Sequence, residues 1–234
     1  MSDALRVVQR KMFAHRISWS RIDRRAAHRQ PELLALLREA CLVESYLPVY
    51  TGQMLALFWD DLDATAMFTI EAIEAYAHYH LLRRYLDVVR YRPIQDREVL
   101  ALRRRARDQR YRDPIRELVN FMGTEHFASH FFRALAKQTD EPVMRELLPR
   151  FADEERTHSQ FAFDLLAARA HRRGGRETIA RHASKFRHIG AYVAPYVSPA
   201  EADNVRAIVA FDRRFVPLLG SSLGDYLLRK KVPA

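Results

Sequence analysis

Apolar residues recur at intervals of three and four along nearly the whole chain, and most of the prolines and glycines stand at the ends of those runs. No strand-like alternation competes, so the expected fold class is all-α. Pro31-Glu32 opens a first long helix to about Phe58, with a bend expected at Pro48, where an intrahelical bond is lost. Asp60 or Asp61 can cap a second, running to about Val89. A short basic helix from about Asp96 to Arg107 leads to Asp113-Pro114, an N-cap followed by proline at the first helical position, and a third long helix ending near Thr139. Asp140 and Pro142 restart the chain for a fourth, ending at Gly174-Gly175. Smaller helices are expected from about Glu177 to Val193 and after the capping-box start Ser198-Pro199-Ala200-Glu201. One domain is expected over residues 1–234, a core bundle of about 31–174 with extra helices at both ends.

Composition narrows the chemistry. Only 7 glycines occur in 234 residues and no glycine-rich phosphate motif is present, which argues against a cradled nucleotide. One cysteine, Cys41, cannot form an internal disulfide, a four-cysteine zinc site or an iron-sulfur cluster. Together with an N-terminal run, Met1 to Arg6, that lacks an apolar segment, and no later stretch of 18 apolar residues, this leads us to expect a soluble, cytoplasmic protein away from membranes. Lys and Arg total 39 against 29 Asp and Glu, a net charge of +10 that should attract an acidic partner.

The informative residues are acids and histidines on stripes that are otherwise apolar. The first long helix gives Leu33, Leu37, Ala40, Glu44, Leu47 and Thr51; the second gives Met67, Glu71, Glu74, His78, Leu81 and Tyr85. The third gives Leu118, Phe121, Glu125, Ala128, Phe132 and Leu135, and the fourth gives Phe151, Glu155, His158, Ala162 and Leu165. A lone carboxylate in such a core must be protonated, paired or metal-bound. Metal accounts for all of them together: Glu44, Glu74, Glu125 and Glu155 balance two divalent cations, while His78 and His158 give each a neutral nitrogen. Four carboxylates and two imidazoles form the ligand set of a di-iron or di-manganese bundle, and the oxygen-rich set disfavours structural zinc.

Four stretches carry a family likeness. They are Glu44-Ser45-Tyr46-Leu47-Pro48, the run His78-Tyr79-His80-Leu81-Leu82-Arg83-Arg84-Tyr85-Leu86, Phe127-Ala128-Ser129-His130, and Ala152-Asp153-Glu154-Glu155-Arg156-Thr157-His158. Through them most of residues 40–195 resembles the soluble acyl-carrier-protein desaturases of the ferritin-like di-iron superfamily. The resemblance implies a ferritin-like four-helix bundle in which Glu44, His78, Glu155 and His158 fall on iron-ligand positions. Two positions depart from the family. Its helix-two Glu falls at Ala75, so the nearest acid, Glu74, is taken as the ligand, with Glu71 as the alternative. Its helix-three Glu falls at Gly123, whereas periodicity favours Glu125, because the stripe through Gly123 carries Arg116, Asn120 and His130. Glu71 and His78 also make the E-x6-H spacing of the haem-oxygenase-like di-iron oxidases, whose further His falls here at Phe151.

The resemblance implies an oxygen-dependent di-iron oxidase acting on an acyl chain bound to an acyl carrier protein, with two Fe ions (or Mn), O2 as co-substrate, a ferredoxin-type electron donor and a homodimeric state. Bridging carboxylates are expected from Glu74 or Glu125, terminal ones from Glu44 and Glu155. Desaturation is the default outcome, hydroxylation or N-oxygenation the alternative. Two other classes stay open: hydroxylation of tRNA, and a metal-free helical interaction protein. Candidate carrier-docking residues are Arg103, Arg104, Arg105, Arg172, Arg173 and Arg176. His126 and His130 are weighed as pocket-lining or satisfied core residues, Glu154 as a solvated neighbour of Arg150 or His158, Cys41 as core, and Trp19 and Trp59 as packing.

Overall fold

The computed structural model describes residues 17–186 and 201–230, and every regular element among them is helical. After a 3-10 turn at Trp19–Arg21 come α1 (Arg24–His28), α2 (Pro31–Leu57), α3 (Leu62–Val89), α4 (Asp96–Asp108), α5 (Pro114–Gln138), α6 (Pro142–Ala170), α7 (Gly175–Ala183), α8 (Glu201–Arg213), α9 (Val216–Leu219) and α10 (Leu223–Lys230). No described helix is long and apolar enough to cross a membrane.

Local chemistry sets the boundaries. Asp61 accepts from the Ala64 N–H at 2.9 Å and starts α3, and Asp113 accepts from Ile115 and Arg116 ahead of Pro114 in α5. At α6 the cap is Glu141, one residue past the expected Asp140; one of its oxygens accepts from Met144 N–H and the other from Asp23 N–H. The fourth long helix also stops earlier than expected, at Ala170. Gly174 then turns at φ 73°, and Gly175 lets the chain pass where a Cβ would meet the Arg169 carbonyl oxygen. The expected helix to Val193 ends at Ala183, and residues 187–200, including Ser198, Pro199 and Ala200, lie outside the described set.

Short loops fold α2 back on α3 and α5 back on α6, and these pairs make the most extensive helix contacts. Their inward faces share one apolar core, in which Tyr50 of α2 lies over Phe121 of α5 and Phe68 of α3 lies 5.0 Å from Phe121. Gln30 ties the start of α2 to the end of α5, donating to the Gln138 carbonyl and accepting from Asp140 N–H. Near one end of the α3–α6 seam Arg169 of α6 pairs with Asp61 at the start of α3. Pro48 lies inside α2, where it cannot donate to the carbonyl four residues back. Arg103 of α4 donates to the adjacent Ser45 carbonyl at 2.8 Å, so this candidate docking arginine is engaged in the fold, while Arg104 and Arg105 are exposed.

Candidate metal centre

Six acidic or histidine side chains meet midway along the long helices, each at most 5 % exposed: Glu44 from α2, Glu71 and His78 from α3, Glu125 from α5, and Glu155 and His158 from α6. Their ligand atoms form two overlapping groups. Glu71, Glu125, Glu155 and His158 make one, and Glu44, His78 and Glu155 the other, each with ligand atoms within 4.8 Å of one another. Glu155, expected as a terminal ligand, is the residue they share. One of its oxygens lies 3.0 Å from His78 Nδ1, and the other lies 3.0 Å from His158 Nδ1.

Glu74 stands outside these groups. Glu71 occupies the position between the histidines' helices, 2.8 Å from His158 Nδ1, whereas Glu74 is half-buried and takes the outer Nε2 of His158 at 2.6 Å. Glu154 does the same for His78, accepting from Nε2 at 2.6 Å, and so is not the solvated neighbour of Arg150 or His158 that the sequence suggested. Each ring thus turns Nδ1 to the centre and is held from behind by a carboxylate on the opposite helix, the arrangement that fixes a ligating imidazole's tautomer and orientation.

Electrostatics mark the centre as overfull of acid. Burial pushes Glu44 well above the ordinary carboxylate range, reinforced by the charge of Glu155. Burial does the same to Glu125, helped by Glu71 and Glu155. Burial opposes charge on His78 and His158, but the surrounding carboxylates outweigh it, led by Glu155 for His78 and Glu71 for His158, and both imidazoles sit well above their ordinary value. Glu155, though desolvated, is held far below its usual range by those two rings. Protons thus stand in for positive charge.

The orientation of the ligand atoms tests whether a metal pair fits. Glu44 Oε2, both oxygens of Glu71 and His78 Nδ1 are buried without a hydrogen-bond partner, although His78 Nδ1 lies 3.0 Å from Glu155 and Glu71 Oε2 lies 2.8 Å from His158. These atoms are close without aiming at one another. Grouped within 4.8 Å, they could hold an ion, and the donor set of carboxylate oxygen and imidazole nitrogen is one that iron or manganese accepts.

Other sequence candidates sit elsewhere. Gly123 faces away from the centre, and a Cβ there would meet the Phe186 ring at 2.6 Å, so no acid fits without displacing that ring. His126 bonds the Ala207 carbonyl through Nε2 at 3.0 Å and lies beside His130, against α8. Cys41 is buried and donates to the Tyr79 carbonyl. Trp19 packs under the Arg84 guanidinium, whereas Trp59, expected to pack, is 77 % exposed.

An apolar groove of about 350 Å³ runs along the seam between α3 and α6. It is lined by Met67, Ile70, Phe161 and Leu165, with Asp63 and Asp164 at its margin. Comparison of the chain with protein-family models, curated proteins and solved structures finds no match.

Proposed function

We propose that the chain is a ferritin-like di-iron carboxylate protein whose centre is formed by Glu44, Glu71, His78, Glu125, Glu155 and His158, and that it works as an oxygen-dependent oxidase of an acyl chain. The observation that carries this reading is the sharing of Glu155 between two buried ligand groups whose histidine Nδ1 atoms both face it. An iron pair bound there supplies the reduction of dioxygen and the removal of hydrogen from an unactivated C–H bond.

The protein's own residues do the rest. Glu74 and Glu154 hold the imidazoles from behind and raise their basicity toward the centre. Phe132 and Phe151 pack against His78 and wall its side of the site with apolar rings. The groove along α3 and α6, lined by Met67, Ile70, Phe161 and Leu165, would give an acyl chain an apolar bed. The +10 charge favours an acidic carrier protein as the bearer of that chain and an acidic ferredoxin-type donor.

The E-x6-H spacing of Glu71 and His78 supports a second reading, a haem-oxygenase-like di-iron oxidase. Phe151, standing where that family has a further His, weighs against it. Anaerobic loading with Fe(II) followed by elemental analysis tests the centre: close to two irons per chain are expected, and oxygen uptake should follow when acyl-loaded carrier protein is added. No bound transition metal after loading would end both di-iron readings.

A further inference from the structure

We infer that the two halves of this centre bind metal unequally, and that the half built on Glu44 and His78 is the weaker one and keeps a position open for a small exogenous donor. This deepens the di-iron reading and rests on it.

The inference follows from how α3 and α6 are matched. Each carries an acid four residues before its histidine, Glu74 before His78 and Glu154 before His158, and the two acids exchange partners across the seam. The same correspondence sets Glu71, seven before His78, against Phe151, seven before His158. It also sets Glu155, three before His158, against Ala75, three before His78. Each helix therefore contributes one central acid, but from different turns, and both acids join the group around His158. That group counts four residues, Glu71, Glu125, Glu155 and His158, while the His78 group counts three, with Glu155 in common.

The places where a balancing acid would stand are apolar. Phe151 is buried with its ring 4.1 Å from that of His78, Phe132 lies 6.2 Å away, and Ala75 is 1 % exposed. Among the described residues no further His, Cys, Asp or Glu joins the His78 group, and Glu154 is engaged on the far nitrogen. Three protein ligands with an apolar corner beside them leave room in the coordination sphere, as sites that bind a further donor do. One missing carboxylate also lowers affinity for a hard divalent ion, and a difference of about tenfold or more between the halves is expected.

Titration of the metal-free full chain with Co(II), read by visible absorption and elemental analysis, decides it. Two phases are expected, the second weaker by about tenfold or more, and Glu44→Ala should remove the second phase while leaving the first. Azide should perturb the spectrum only once the second equivalent is bound. Phe151→Glu should draw the two phases together and abolish the azide response, whereas Phe151→Ala should keep the phases apart; a pure packing role would change both variants alike. Two equivalents bound with indistinguishable affinity, or loss of the first phase in Glu44→Ala, would overturn the inference and leave the di-iron reading standing. Absence of any cobalt binding would overturn both. If Phe151→Glu does not fold, the native and Glu44→Ala titrations settle the order of binding on their own.

Discussion

The Nε2 of His158 on α6 lies 2.6 Å from a carboxylate oxygen of Glu74, which reaches it from the facing helix α3. That contact explains why an acid sits at position 74, on the same stripe as Glu71, without joining the ligand group. Its removal should weaken metal binding without removing a ligand. Glu74→Gln is expected to lower affinity by about 10- to 100-fold while leaving two metals per chain at saturation. Glu71→Ala should instead lose a bound metal. Titration of the two variants side by side separates the roles, and equal loss of stoichiometry in both would place Glu74 among the ligands.

Metal binding should release protons and strengthen as pH rises. Glu44, Glu125, His78 and His158 all hold protons above their ordinary ranges in the metal-free protein. A metal must displace them. Calorimetric titrations in buffers of different ionisation enthalpy should report net proton release, and none would mean that the centre is not protonated as described.

The same groups set the pH dependence of the metal-free fold. His78 and His158 have folded values raised above 6.5, so their contribution is complete below 6.5 and is lost as pH climbs through the raised values. Glu44 and Glu125, raised above 4.5, act in the same direction. Glu155 is depressed, and its opposite contribution is gained entirely below its ordinary 4.5. Above about pH 6.5 only the raised groups remain, so the melting temperature of metal-free protein should fall as pH rises, and loading with metal should flatten that slope. A flat profile without metal would contradict the electrostatics.

Gly123→Ala should destabilise the fold by about 1–3 kcal/mol, because its Cβ would press on the Phe186 ring, which stacks on Phe127. Metal content should not change. Denaturant unfolding and elemental analysis check the two halves of this expectation.

Association with an acyl carrier protein should weaken as salt rises, and Arg104→Glu with Arg105→Glu should weaken it further. Arg103→Glu should instead lower stability, since its side chain donates to the Ser45 carbonyl of the helix that carries Glu44. If tRNA binds tightly and is hydroxylated while loaded carrier protein neither binds nor stimulates oxygen uptake, the substrate class is nucleic acid.

The long helices were legible because their ends are written locally: Pro31, Asp61, Asp113-Pro114 and Pro142 stand where caps and first turns need them. Glu44, Glu125, Glu155, His78 and His158 were legible as charges on apolar stripes. Glu71 and Glu74 were not separable that way, because residues three apart share a helix face and a modest rotation of α3 decides which one points to the centre. Glu154 was hidden for another reason: it is half-buried, and its partner His78 lies on a different helix. Periodicity reads one helix at a time and cannot show a contact that crosses from α6 to α3.

The α3–α6 seam is pinned by two polar contacts, Arg169 with Asp61 and His158 with Glu71, and the groove-lining Met67, Ile70, Phe161 and Leu165 fall between them along both helices. Asp61 and Glu71 are ten positions apart, a rise of about 15 Å along an α-helix. The seam is therefore a ruler graduated in residues, and shifting the Asp61–Arg169 pair by one helical turn would lengthen or shorten the apolar stretch between the two contacts by about 5.4 Å.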